Sequence, residues 1–123
     1  MANAILRIVA TAVSLAAAVN MVSGLRFEGR WWTMLLIAII FGFVNSIIKP
    51  LVKFFMLPFL VLTLGLFTFV INAFMLELTA YLSHAFKLGF YVEGFWAAFK
   101  GALVISIVNM ILQWAAAGWV RER

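Results

Sequence analysis

The chain has 123 residues, of which 67% are hydrophobic and 11% charged, with a net charge of +5 and no cysteine. A globule of this length has too little interior to hide so much apolar surface, so lipid must cover the remainder. The nine Lys and Arg are scattered between apolar runs, which excludes a basic nucleic-acid-binding face and points to charge at membrane edges, while the lack of cysteine excludes disulfides and thiolate chemistry.

Residues 3–23 form the first apolar segment. About 20 residues cross a hydrocarbon layer of roughly 30 Å, and Gly24 suits a C-terminal stop. A signal peptide is the competing reading, with Arg7 as its basic region and Ala16, Ala17 and Ala18 near a cleavage site. The second segment is 31–48. "KPLVKFFMLP", residues 49–58, follows it. Two prolines and two lysines there predict an interfacial turn, with Pro58 in the first turn of the next helix. The third helix is expected over 59–82 and the fourth over 96–119, followed by a basic tail. The runs are continuous and do not alternate, which argues against a β-barrel.

The expected fold is therefore a single all-α integral membrane domain over residues 1–123, with four transmembrane helices. Trp31, Trp32, Tyr81, Tyr91 and Trp96 fall at one interface, and Trp114 and Trp119 approach the other. Four spans place both termini on one side. That side carries Arg7, Lys49, Lys53, Arg121 and Arg123, against Arg26, Arg30, Lys87 and Lys100 on the other. The excess predicts cytoplasmic termini in a bacterial inner membrane.

The chain also repeats itself. Glu28, Gly29 and Trp31 match Glu93, Gly94 and Trp96, and Ala38, Gly42 and Asn45 match Ala102, Ser106 and Asn109. The repeat predicts two helical hairpins in parallel, each a helix, a Glu-Gly turn and a helix. Chance similarity between apolar sequences is the alternative. Asn45, Lys49-Pro50, Pro58, "LTLGLF" at 62–67, "INA" at 71–73 and "EGFW" at 93–96 resemble the small four-helix membrane proteins of the phage-holin superfamily IV family. The resemblance covers about residues 25–115. It implies a small bacterial integral membrane protein and brings no catalytic residues. The family name implies membrane permeabilisation, although most members are ordinary chromosomal proteins. Glu77 departs from the family, where that position is usually apolar or aromatic.

One histidine, no cysteine and no aspartate leave no catalytic triad and no metal-ligand set, so neither catalysis nor a cofactor is expected. Each span holds one asparagine: Asn20, Asn45, Asn72 and Asn109. An amide in hydrocarbon is costly unless hydrogen-bonded, so these predict interhelical ties, with a polar path for a solute as the alternative. Asn45 and Asn109 are expected to face each other. Glu77 and Lys100 are expected to pair inside the second hairpin, with Tyr81 and His84 sharing the cluster; a proton-linked site is the alternative. Stripes of small residues, Ala10-Ser14-Ala18, Ala38-Gly42-Ser46 and Ala98-Ala102-Ser106, permit close helix approach. The expected function is a structural or regulatory membrane protein that self-associates or joins a larger complex. The alternatives are a holin-like or channel-like permeability protein and a transporter or lipid-handling protein. The expected partners are the bilayer and other membrane subunits, and no nucleic acid.

Overall fold

The computed structural model describes residues 2–121, with side chains for residues 4–115. Expectations for Trp119, Arg121 and Arg123 concern side chains outside that set. In chain order the elements are α1 (Ala2–Met21), β1 (Leu25–Phe27), α2 (Trp31–Phe43), a π-helical segment (Val44–Ile48), α3 (Lys49–Phe55), α4 (Leu57–Leu62), α5 (Phe67–Ala85), β2 (Phe90–Val92) and α6 (Phe95–Arg121). Three stretches are long and apolar enough to cross a membrane: Ala4–Met21, Trp31–Phe55 and Phe95–Ala115.

Residues 49–58 do not form the expected turn. A proline inside an α-helix lacks an N–H, and its ring collides with the carbonyl four residues back. The π segment relieves both problems just before Pro50. The Lys49 N–H bonds to the Val44 carbonyl, five residues back, which widens that turn. Pro50 then lies in the first turn of α3, where a missing N–H costs least. The helix therefore runs on to Phe55. Pro58 does open a new helix, the short α4.

The reversal comes later, at 63–66. Leu64 and Gly65 have φ of 55° and 88°. The Gly65 N–H bonds to the Leu60 carbonyl at 2.8 Å, five residues back, the closure typical of a helix C-terminus with a left-handed residue. The third long helix therefore starts at Phe67 and not at 59. α5 closes in the same way: Lys87 has φ of 58°, and the Leu88 N–H bonds to the Ser83 carbonyl at 2.9 Å.

Ile40, Val44, Ile48, Val52 and Met56 recur every four residues along the long rod. They form one apolar cluster with Leu60 of α4 and Phe67, Ile71, Met75, Leu78 and Leu82 of α5. A row at this spacing is the ridge that seats in the groove of a neighbouring helix. A second cluster joins α1, α2, α5, α6 and both strands through Leu15, Ala18, Leu25, Ile37, Leu76, Phe90 and Ile105. Its side chains fill the strand end of the bundle. α1 packs against α6 and α2, and α5 against α6.

The expectation of an all-α chain is corrected by β1 and β2, which pair antiparallel as Leu25–Val92, Arg26–Tyr91 and Phe27–Phe90. The connections after α1 and α5 leave backbone groups exposed, and pairing satisfies them. Two further bonds flank the strands: Glu28 N–H to Gly89 O at 2.7 Å and Glu93 N–H to Gly24 O at 2.8 Å. Gly24 is required by contact, since a Cβ there would overlap the Cβ of Ala97 on α6. By contrast, a Cβ on Gly42 would meet nothing within 4 Å.

Gly24→Ala is expected to cost about 1–3 kcal/mol through overpacking. Gly42→Ala is expected to stabilise by up to about 1 kcal/mol through helix propensity. Thermal unfolding of the two variants in one detergent checks the contrast.

Candidate functional site: a cationic polar cavity

A cavity of about 580 Å³ opens at the end of the bundle away from the strands, between the first half of α1, the end of α2 with the π segment, and the second half of α6. Arg7 and Lys49 line it, together with Asn45, Asn72, Asn109 and Gln113. Among the described residues no carboxylate belongs to the lining.

Two local features place the polar groups. On α6, Ser106, Asn109 and Gln113 follow at +3 and +7, one face of a helix. Gln113 Nε2 donates to Asn109 Oδ1 at 3.0 Å. On the rod, the π segment carries Asn45 and Ser46 and is followed at once by Lys49. Asn45 Nδ2 donates to the Phe41 carbonyl at 2.8 Å.

Small residues give the cavity its width. Ala38, Ala98 and Ala102 are buried. Further along the same stripes, Gly42, Ser46 and Ser106 open into the cavity. The α1 stripe Ala10-Ser14-Ala18 is buried throughout.

The asparagines do not tie helices together as expected. Asn20 is exposed near the end of α1 and donates to Ala16 O of its own helix at 2.9 Å. Asn45 and Asn109 share the cavity wall, but each is bonded within its own helix. Asn72 also lines the cavity, and its Oδ1 is buried without a donor. An amide satisfies itself at lowest entropic cost on the carbonyl four residues back, and helices spread around a cavity offer nothing closer.

The Glu77–Lys100 pair is also corrected. Among the described residues, the ion pair within 4 Å is Arg26–Glu93. Lys100 lies on the exposed face of α6, four residues after exposed Trp96 and seven before exposed Ile107, while Ala97, Ala98, Gly101 and Ala102 hold the buried face. Aromatic rings fill the contact between α5 and α6 instead: Phe74 meets Phe95 with centroids at 5.7 Å, and Phe69 meets Phe99 at 6.5 Å. Glu77 is half-buried; Tyr81 and His84 are exposed. The His84 ring lies 6.0 Å from that of Tyr91 and, among the described residues, takes part in no ion pair.

The pair that does form joins β1 to the residue after β2. Arg26 Nη2 lies 3.1 Å from Glu93 Oε1, both side chains being 55% exposed. The same guanidinium stands 5.7 Å from the Tyr91 ring centroid. Exposure limits the ion pair to about 0–1 kcal/mol. Its consequence is electrostatic asymmetry: one end of the bundle carries a neutralised pair, and the other presents Arg7 and Lys49 with no carboxylate in reach among the described residues.

Asn72→Leu is expected to leave the melting temperature unchanged or raise it, because an unpaired buried carbonyl costs about 1–3 kcal/mol. A clear fall in thermal stability in detergent would show that this amide has a partner.

The chain matches the family model described as mycobacterial 4 TMS phage holin, superfamily IV, over residues 2–111. It is 39% identical over 117 residues to an uncharacterized protein of Streptomyces coelicolor, covering 91% of this chain and 94% of that one. It is 37% identical over 76 residues to YvlD, an uncharacterized membrane protein of Bacillus subtilis, covering 62% of this chain and 61% of that one. No solved structure matches. The long apolar helices, the Pro58 helix start and the Glu-Gly turns thus belong to a recognised sequence family, and this membrane protein, with three stretches long and apolar enough to cross a bilayer, is a member of the phage-holin superfamily IV family.

Proposed function

We propose that the protein is a non-catalytic subunit of the bacterial inner membrane with a structural or regulatory role, acting as a self-associated particle or inside a larger assembly. The observation that carries this reading is that the polar cavity has one end only. It stops at Ala38, Ala102 and Ile105. Beyond them the interior is filled by Leu15, Ala18, Ile37, Leu76 and Phe90. The buried hydroxyls at that level, Ser14 and Thr79, are bonded to Ala10 O at 2.8 Å and Met75 O at 2.9 Å. A solute entering the cavity therefore meets this apolar packing before the one free buried hydroxyl further in, that of Ser83 near the end of α5, so one protomer offers no continuous polar path among the described residues.

In this reading α1 with α2 and α5 with α6 are two copies of one hairpin and give four spans. α5 has 19 residues, about 28 Å of helix, close to the thickness of the hydrocarbon layer. The strand pairing supports the duplication. Arg26 pairs with Tyr91, and these two positions correspond in the repeat. The two flanking bonds, Glu28 to Gly89 and Glu93 to Gly24, exchange with each other when the copies are exchanged. The cavity end carries the start of α1 and the end of α6 and faces the cytoplasm, in keeping with Arg7, Lys49 and Lys53 at that end. Cysteines at exposed Ser23 and Lys87 are expected to label from outside intact cells, and one at Lys53 only after permeabilisation. Labelling of all three from one side would remove the four-span arrangement.

The amides and open mouth of the cavity favour a second reading, in which several protomers join their cavities into a permeability path. Liposomes carrying the purified protein separate the two. The structural reading expects dye retention equal to that of protein-free liposomes. Release that rises with protein density would favour the assembled path.

A further inference from the structure

We propose that the cavity is a binding site for a phosphate-bearing anion, and that its occupant is the headgroup of an anionic phospholipid. The inference does not depend on whether the assembled protein conducts.

Three observations carry it. First, Arg7 and Lys49 line one open cavity from two helices, and among the described residues neither has a carboxylate partner. Lys49 is half-buried and Arg7 stands exposed at the mouth, and a cation partly withdrawn from water without a partner calls for an anion. Arg offers a fork that fits phosphate oxygens, and Lys adds a compact charge. Second, the remaining polar wall is neutral and hydrogen-bonding. Gln113 and Asn109 are linked at 3.0 Å, leaving further amide positions of that pair free for a phosphate or glycerol hydroxyl. Third, the mouth is amphipathic. Ile39 and Ile47, 48% and 52% exposed, line it on the outer face of the rod, where an acyl chain would lie. Depth agrees with this. Lys49 follows Trp31 by 18 residues, about 27 Å along a helix, so with Trp31 at one interface Lys49 reaches the opposite headgroup layer. Basic pockets between membrane helices at that level are fitted to anionic headgroups.

The test places the full chain in nanodiscs of phosphatidylglycerol and phosphatidylcholine and measures retained lipid by native mass spectrometry after partial delipidation. Phosphatidylglycerol is expected to be enriched over its bulk share in the wild type. Arg7→Gln and Lys49→Gln are each expected to lower that enrichment about fivefold. Lys53→Gln, one turn further on and outside the cavity lining, is expected to leave it unchanged. The wild-type enrichment needs no variant to fold. A second arm adds inorganic phosphate to nanodiscs of phosphatidylcholine alone. Stabilisation there that both cavity variants abolish, without phosphatidylglycerol enrichment, would keep the anion site and overturn the lipid as its occupant. Lipids retained in their bulk ratio with no response to phosphate would overturn the proposal outright, as would equal losses in all three variants.

Discussion

Inside hydrocarbon a backbone N–H or C=O has no water to turn to, and each unsatisfied group costs several kcal/mol. Most of the structural detail follows from that constraint. It makes the long segments helical, and it governs the places where helices are interrupted. Pro50 removes a donor, and the chain responds with a π turn that pairs Lys49 N–H with Val44 O and keeps the rod continuous. At 63–66 and after Ala85 the chain stops with the last carbonyls capped by N–H groups five residues on. The connections after α1 and α5 solve the same problem with each other's help, by forming two short paired strands. A turn that might have stood alone in water becomes the tie between the two halves of the molecule.

Side-chain amides obey a similar rule with less force. Asn20 and Asn45 each donate to the carbonyl four residues back, and Asn109 accepts from Gln113 on its own helix. Such local bonds order few atoms and need no neighbour at a particular height, so they are reached more readily than a bond across helices. Cohesion between helices therefore falls to packing: the four-residue ridge of the rod on α5, the small-residue stripe of α1 buried in the bundle, and the phenylalanines between α5 and α6. In lipid, where no hydrophobic drive holds helices together, close packing is the main attraction available.

Much of this fold was legible from residue order. Long apolar runs located the membrane segments, Gly24 marked the end of α1, and Pro58 marked a helix start. The Pro50 region was misread because a proline near two lysines looks like a boundary, and local propensity does not register a π turn that absorbs it. The start of α5 was missed although its signal was present: Gly65 sits in the middle of the run taken as helix. Leu64 at positive φ had no signal, since only the closing hydrogen bond makes a leucine adopt it. The Glu77–Lys100 pair was expected because both residues lie in one hairpin of neighbouring helices, near the same end. Depth puts two side chains at one level, but helix rotation decides whether they meet, and Lys100 shares its face with Trp96. The cavity was half legible. Ser106, Asn109 and Gln113 mark a polar face on only the second half of α6, and Gly42, Asn45, Ser46 and Lys49 mark another on the end of the rod.

Those half-length polar faces separate what the two ends of the bundle do. At the strand end the sequence supplies Glu93 beside Arg26, and that one cation is neutralised on the surface. The interior there is closed by Leu15, Ile37, Leu76 and Phe90. At the other end the α1 stripe stays closed, but glycine and serine on the other two leave a polar opening where a large apolar side chain would have filled it, and the nearby charges are all positive among the described residues. A bundle needing only stability would gain by extending the apolar core through that end, since unpaired cations near a low-dielectric interior are costly. Gly42 and Asn45 on the rod and Ser106 and Asn109 on α6 line the opening from two sides. With the paired strands and the apolar core closing the far end, the polar halves of these helices come together only at this one.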